Sequence, residues 1–229
     1  MAVDLKALKT QLIEGGYDVR RVTKSIAYLS TNDNASKHNQ LELYSLIVKY
    51  LNAGTNLDGV NVVLTGKNMG LITYHGFMNK VKASHKNVFF DIQLVREGDK
   101  FNFKKKDGKV EYTHEIGNPF ENGKIIGSYC IVKFDNGNES LELLNDRDFS
   151  EMKSSSRNQS TWNKWESEFW RKSVIKRACK VYFAEEIEAL NSLDNQDFGL
   201  EEETPEETKK KIVEAHKNAK NSEEKPAQE

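Results

Sequence analysis

Cysteine is scarce, with two in 229 residues. Cys130 and Cys179 are too few for a disulfide scaffold, and both fall on apparent core positions of a strand and a helix. They read as reduced, small hydrophobes. No apolar run approaches membrane-spanning length, and the N-terminus alternates charged and apolar residues as a signal peptide does not, so a soluble intracellular protein is expected. A nucleotide-binding phosphate loop is also missing: Gly66-Lys67-Asn68 has neither the leading glycine loop nor the hydroxyl. The Cys and His residues show no metal-ligand spacing. Charge of one sign is lacking too, since 34 Lys+Arg stand against 35 Asp+Glu for a formal net charge of −1. Taken as a sum, that balance argues against a polyanion partner.

The distribution of charge argues otherwise. Between Lys153 and Phe183 there are eight cations (Lys153, Arg157, Lys164, Arg171, Lys172, Lys176, Arg177, Lys180) against Glu166 and Glu168. From Glu185 onward acids dominate. A basic surface followed by an acidic tail is an asymmetry that a global sum conceals. On a helix at about 100° per residue, the segment from Thr161 to Phe183 splits into two faces. Trp170, Val174, Ala178 and Val181, flanked by Ile175 and Tyr182, form an apolar stripe. Trp165, Phe169, Lys172, Lys176 and Lys180 form the other, with Arg177 on its edge. One face packs on a core; the other suits a nucleic-acid backbone with exposed base faces.

The remaining elements predict an α+β fold. Val3 to Gly15 reads as a short amphipathic helix, Ser30 to Ser36 as a polar break, and Lys37 to Asn52 as a second helix. The middle is rich in strands: Val60 to Leu64, Leu71 to Tyr74, Val88 to Val95, Phe101 to Lys105, Lys109 to His114, Ile125 to Phe134 and Glu139 to Leu144. Asp107-Gly108 and Asn136-Gly137 mark hairpin turns. His75 to Ala83 and Asp146 to Met152 are expected as short helices, and Ser154 to Ser160 as a polar loop. From Asn191 onward there is little to bury, and the charge blocks with Pro205 and Pro226 predict a disordered acidic tail. The expected organisation is a helical region over 1–55, an α+β core over 56–190 and a tail over 191–229.

Four blocks in order resemble a known family. The run from Trp165 to Lys180 resembles the signature helix of the RecT/Bet family of phage single-strand annealing proteins. Gly70 to Lys80, with Tyr74 and Gly76, looks like the family's aromatic-x-Gly helix entry. Val95-Arg96-Glu97-Gly98-Asp99-Lys100-Phe101, followed by His114, is similar to its Val-x-Glu-Gly-Asp-x-Phe hairpin. Ile126 to Tyr129 before Asn136-Gly137 is similar to the next hairpin. Departures are local: Thr161-Trp162 stands where many relatives have Pro, and Trp170 and Ser173 replace smaller or hydroxyl-bearing residues. The resemblance implies ATP-independent binding of single-stranded DNA and annealing of complementary strands in homologous recombination, without covalent chemistry. It implies a homo-oligomeric ring or filament, with the 1–55 region in the oligomer interface. It further implies a phage or prophage origin, a bacterial cytoplasm, and often a partner exonuclease. The tail is a candidate contact for that nuclease or for a host single-strand-binding protein. No cofactor is required, with Mg2+ expected only to modulate DNA binding.

Lys172, Lys176, Arg177 and Lys180 are therefore the principal candidates for neutralising phosphates, with Arg171 ranked lower because it falls on the far side of the helix. Tyr74, Lys80 and Lys82 on the upstream helix entry, Arg96 in the hairpin, and Lys153 and Arg157 before the long helix extend the candidate set. Trp165 and Phe169, with Trp162, either stack on bases or anchor the helix, and anchoring is favoured for each. The cations Lys104 to Lys106 either extend the groove or form a solvated hairpin tip. Asp99 and Phe101 read as structural. An alternative as a metal-dependent nuclease would use Asp91 or Asp99 with Asp107-Gly108-Lys109, but a hairpin turn accounts better for that pattern. A plain single-strand-binding protein that protects without annealing would have a similar composition.

Overall fold

The computed structural model describes residues 3–66, 69–106, 109–118, 120, 123–156 and 159–198. Three helices come first: α1 (Leu5–Glu14), α2 (Val19–Ser30) and, after a 3-10 turn (Asp33–Lys37), α3 (Gln40–Asn52). Each start is set by a side chain that accepts from a free backbone N–H: Asp4 for α1, Asp18 for α2, and Asn39 for α3 in a reciprocal capping box with Glu42. A small hairpin follows, β1 (Val62–Gly66) with β2 (Met69–Ile72), and then α4 (Tyr74–Ser84), capped by Thr73. Helix α2 is absent from the sequence expectation, because Val, Thr, Ile and Tyr weaken its intrinsic helix signal. Burial of Val22, Ser25 and Leu29 decides the matter.

The central sheet has the order β3-β6-β7, all antiparallel, with β3 at Phe89–Arg96, β6 at Ile125–Lys133 and β7 at Glu139–Asn145. A second hairpin pairs β4 (Lys100–Lys106) with β5 (Lys109–Glu115). Strand alternation gives the sheet two apolar faces. Cys130 and Val132 face the main core, where α7 (Glu166–Tyr182) lies across the strands. Val95, Tyr129 and Ile131 face the other way and are covered by Phe101 and Tyr112 of the β4–β5 hairpin. The main core is continuous from Leu8 and Leu43 in the N-terminal helices to Trp170 and Val174 in α7, so no break in packing marks residue 55.

Asp99 fastens the second hairpin to the sheet. Its carboxylate accepts from the amides of Arg96 at 2.7 Å and Gly117 at 2.9 Å, and His114 Nε2 lies 3.2 Å away. The other nitrogen of His114 is 3.2 Å from the Tyr129 hydroxyl. Burial alone would raise the Asp99 pKa, but the two amides and His114 outweigh it and hold the carboxyl below its ordinary value. This agrees with the structural role expected for Asp99. Asp107 and Gly108 lie outside the described residues.

The C-terminal half departs from expectation in two places. The long helix is divided: α5 (Asp146–Ser155) leads to a short α6 (Gln159–Lys164), and the chain turns at Trp165 (φ −120°, ψ 37°) before α7 begins. The chain then continues as α8 (Ala184–Phe198), past the expected start of the tail at 191. Ile187 and Leu190 are fully enclosed, and Asp194 and Asn195 are buried too. Among the described residues, no helix is long and apolar enough to cross a membrane.

Candidate nucleic-acid interface

Four stacked rings form the floor of the candidate site. Phe149 of α5 lies 4.0 Å from Trp170 of α7, with ring planes at 7°. It also meets Trp162 of α6 at 5.3 Å, and Trp162 stacks on Phe169 at 4.4 Å. This ladder holds α6 against α7 and buries Trp162 and Phe169 almost completely. The apolar face expected for α7 is present at Trp170, Val174, Ile175 and Ala178. Val181 is a correction: it is 58 % exposed and lines the first cavity instead of joining the core.

Two open cavities adjoin over this floor. The first, about 370 Å³, is lined by Met152, Trp162, Phe169, Lys172, Lys176, Arg177, Lys180 and Val181, with Asp194 and Asn195 of α8 at its side. The second, about 500 Å³, lies between the β1–β2 hairpin and the start of α4. Val60, Val63, Leu71, Thr73, Tyr74, His75, Trp165 and Glu168 contribute to it. Phe169 and Lys172 line both, so the two cavities lie side by side along α7 as one candidate groove. Gly76 lets α4 approach the start of β1: a Cβ there would stand 2.6 Å from the Asn61 carbonyl oxygen. The Tyr74 and His75 rings lie 4.1 Å apart on the second cavity's wall.

The cations are not equivalent. Lys172 Nζ donates to Asp194 Oδ1 at 2.5 Å, and its side chain is only 8 % exposed. Lys176 Nζ donates to Asp194 Oδ2 and to Asn195 Oδ1, both at 2.8 Å. Burial alone would raise the pKa of Asp194, but the two ammonium charges outweigh it and hold the carboxyl ionised below its ordinary range. Arg177 donates to the Leu143 carbonyl and to Asp148, both at 2.8 Å, and so ties α7 to β7 and α5. Lys180 is exposed at the first cavity.

Of the residues singled out from sequence, the groove brings together Tyr74, Trp165, Phe169, Lys172, Lys176, Arg177 and Lys180. Lys172 is corrected from a solvent-facing stripe to a buried position, because α8 covers that part of α7, whereas Phe169 is buried in the ring ladder, the anchoring favoured for it from sequence. Trp165, at 51 % exposed, is the open aromatic of the set, with Lys164 Nζ 5.5 Å from its ring. The other candidates line neither cavity. Arg171 pairs with Glu168, Arg96 donates to the Gly123 carbonyl at 2.7 Å, and Lys80 lies against Gly54. Lys82 and Lys153 sit in the last turns of α4 and α5. Arg157 lies outside the described residues. Sequence reasoning missed His75, Asp194 and Asn195. For Asp194 a signal existed: Ile187, Leu190 and Asp194 share one helical face, an acid on an otherwise buried stripe.

The α+β scaffold thus sets aromatic rings and cations side by side along one helix. The RecT family profile matches residues 46–214, and the chain belongs to that family. Membership assigns it to the RecT/Bet-type annealing proteins, which pair single-stranded DNA in recombination. The match begins within α3, leaving α1, α2 and the 3-10 turn outside it. No curated protein matches the chain significantly.

Proposed function

We propose that this protein binds single-stranded DNA along the α7 groove and anneals complementary strands without ATP, as an oligomeric ring or filament. The observation that carries this reading is the adjacency of the two cavities, which share Phe169 and Lys172 and set aromatic rings beside cations along α7. Phosphates run past Lys172, Lys176 and Lys180, and neutralising them is independent of sequence, as an annealer requires. Bases lie toward Tyr74, His75 and Trp165. Limited aromatic contact steadies a strand while leaving its Watson–Crick edges open to a second one. Correct pairing then gains stacking and hydrogen bonds, so no covalent step is needed.

Protomers align their grooves head to tail into one track, with the N-terminal helices in the contact between them. Mg2+ modulates DNA binding without serving as a cofactor. Residues beyond the core contact a partner exonuclease or a host single-strand-binding protein in a bacterial cytoplasm.

The test is annealing of two complementary fluorescent oligonucleotides without nucleotide triphosphate, with a non-complementary pair as control. Protein-dependent pairing with retention of the product is expected. Binding without faster pairing would replace this reading with single-strand protection, and loss of strand on adding Mg2+ would replace it with a nuclease.

A further inference from the structure

The Lys172–Lys176 pair already holds an anion. The two oxygens of Asp194 are divided between the two ammonium groups, at 2.5 and 2.8 Å, as two oxygens of one phosphate would be. Lys176 has three N–H donors, and two are committed to Asp194 and Asn195. Lys172 is enclosed, and the carboxylate beside it is 5 % exposed. A backbone phosphate entering the first cavity therefore meets these two cations behind a carboxylate. The carboxylate is carried by α8, 22 residues along the chain from Lys172.

We propose that Asp194 sets the DNA affinity of this groove: in the free protein its carboxylate occupies a phosphate position between Lys172 and Lys176, and a backbone phosphate takes its place on binding. The exchange keeps the ion count of the site constant, because one anion replaces another over the same two cations. Asp194 then swings back to water, so no unpaired charge is left buried. A strand with only a few phosphates cannot complete the exchange, whereas a long strand bound at several positions can. The groove thereby resists stray small anions and admits a polyanion. This inference rests on the groove reading of the proposed function.

The test compares Asp194→Asn with Glu188→Gln, which removes the same charge from an exposed position on the same helix. Binding of oligo(dT) is measured as a function of salt. Freeing the lysine pair adds one net positive charge to the groove, equivalent to one more phosphate neutralised. For single strands that steepens the slope of log K against log salt by about 0.7, or about eightfold between roughly 1 M and 50 mM salt. Glu188→Gln should show a small fraction of that gain.

Because Asp194→Asn leaves two buried lysines without their partner, hydrogen exchange of the wild-type protein gives a second readout. Amides of α8 around Asp194 should lose protection when oligo(dT) saturates the groove. Equal gains from the two variants, weaker binding by a folded Asp194→Asn, or unchanged or increased protection of those amides would each overturn the exchange. Failure of the wild-type protein to bind oligo(dT) at all would instead overturn the groove reading.

Discussion

Trp165 separates stacking on DNA from packing within the protein. The chain has three tryptophans. Trp162 and Trp170 lie in the ring ladder at 5 % and 0 % exposure, whereas Trp165 is 51 % exposed at the second cavity. Replacing Trp165 with Ala removes a half-exposed ring and an exposed cation–π contact with Lys164. That should cost about 1 kcal/mol or less of stability, a fall in Tm of no more than about 4 °C for a chain of this size. Loss of one base–aromatic stack should cost about 1–3 kcal/mol of binding, or roughly 5- to 150-fold in Kd. Trp162→Ala should do the reverse, costing about 3–5 kcal/mol of stability and roughly 6–20 °C in Tm. The assays are thermal unfolding and titration of tryptophan emission with oligo(dT). Quenching should be present in the wild type and lost in both Trp165→Phe and Trp165→Ala, which remove the reporting ring. Binding read by anisotropy of labelled oligo(dT) should be kept by Trp165→Phe, whose ring retains a stacking face, and weakened by Trp165→Ala. A folded Trp165→Ala that binds oligo(dT) as tightly as the wild type would refute base contact at this cavity.

Three further predictions follow from the same geometry. Lys172→Ala, Lys176→Ala and Lys180→Ala together should weaken oligo(dT) binding and flatten its salt dependence; unchanged binding by the folded variant would reject the groove assignment. A chain ending at Phe198 should anneal naked DNA as the full chain does, whereas one ending at Asn191 lacks Asp194 and should lose about 3–5 kcal/mol of stability, read by thermal melts, because Lys172 is left buried without that partner. The carboxyls of Asp99 and Asp194 have folded pKa values below the ordinary one. Their contribution to stability is therefore fully present above the unfolded value of about 3.9 and lost as pH falls through the lower folded values. Asp99→Asn should flatten the acid limb of a plot of stability against pH.

Strands and hairpins were the most legible part of the fold, because alternation and Asn-Gly or Asp-Gly turns are local signals. The core face of α7 was legible for a similar reason: Trp170, Val174 and Ala178 recur at helical spacing. Helix α8 was not. Ile187, Leu190 and Leu193 make a narrow stripe among acids, and only packing against α4, α7 and β2 makes that stripe worth burying. The cation face of α7 was read correctly in composition and incompletely in environment. Spacing places Lys172 and Lys176 on one side of a helix, but it carries no information that Asp194 will arrive there from 18 and 22 residues away.

The two thiols have a consequence for watching this protein move. Cys130 on the sheet and Cys179 on α7 are both fully enclosed, and burial pushes both pKa values up, that of Cys179 to about 12. Neither presents a thiolate to solvent while α7 remains seated on the sheet. Alkylation at neutral pH must then wait for those two layers to part, so its rate counts openings of the core. A strand lying in the groove would slow that clock if it clasps α7 against the sheet, with no label added to protein or DNA.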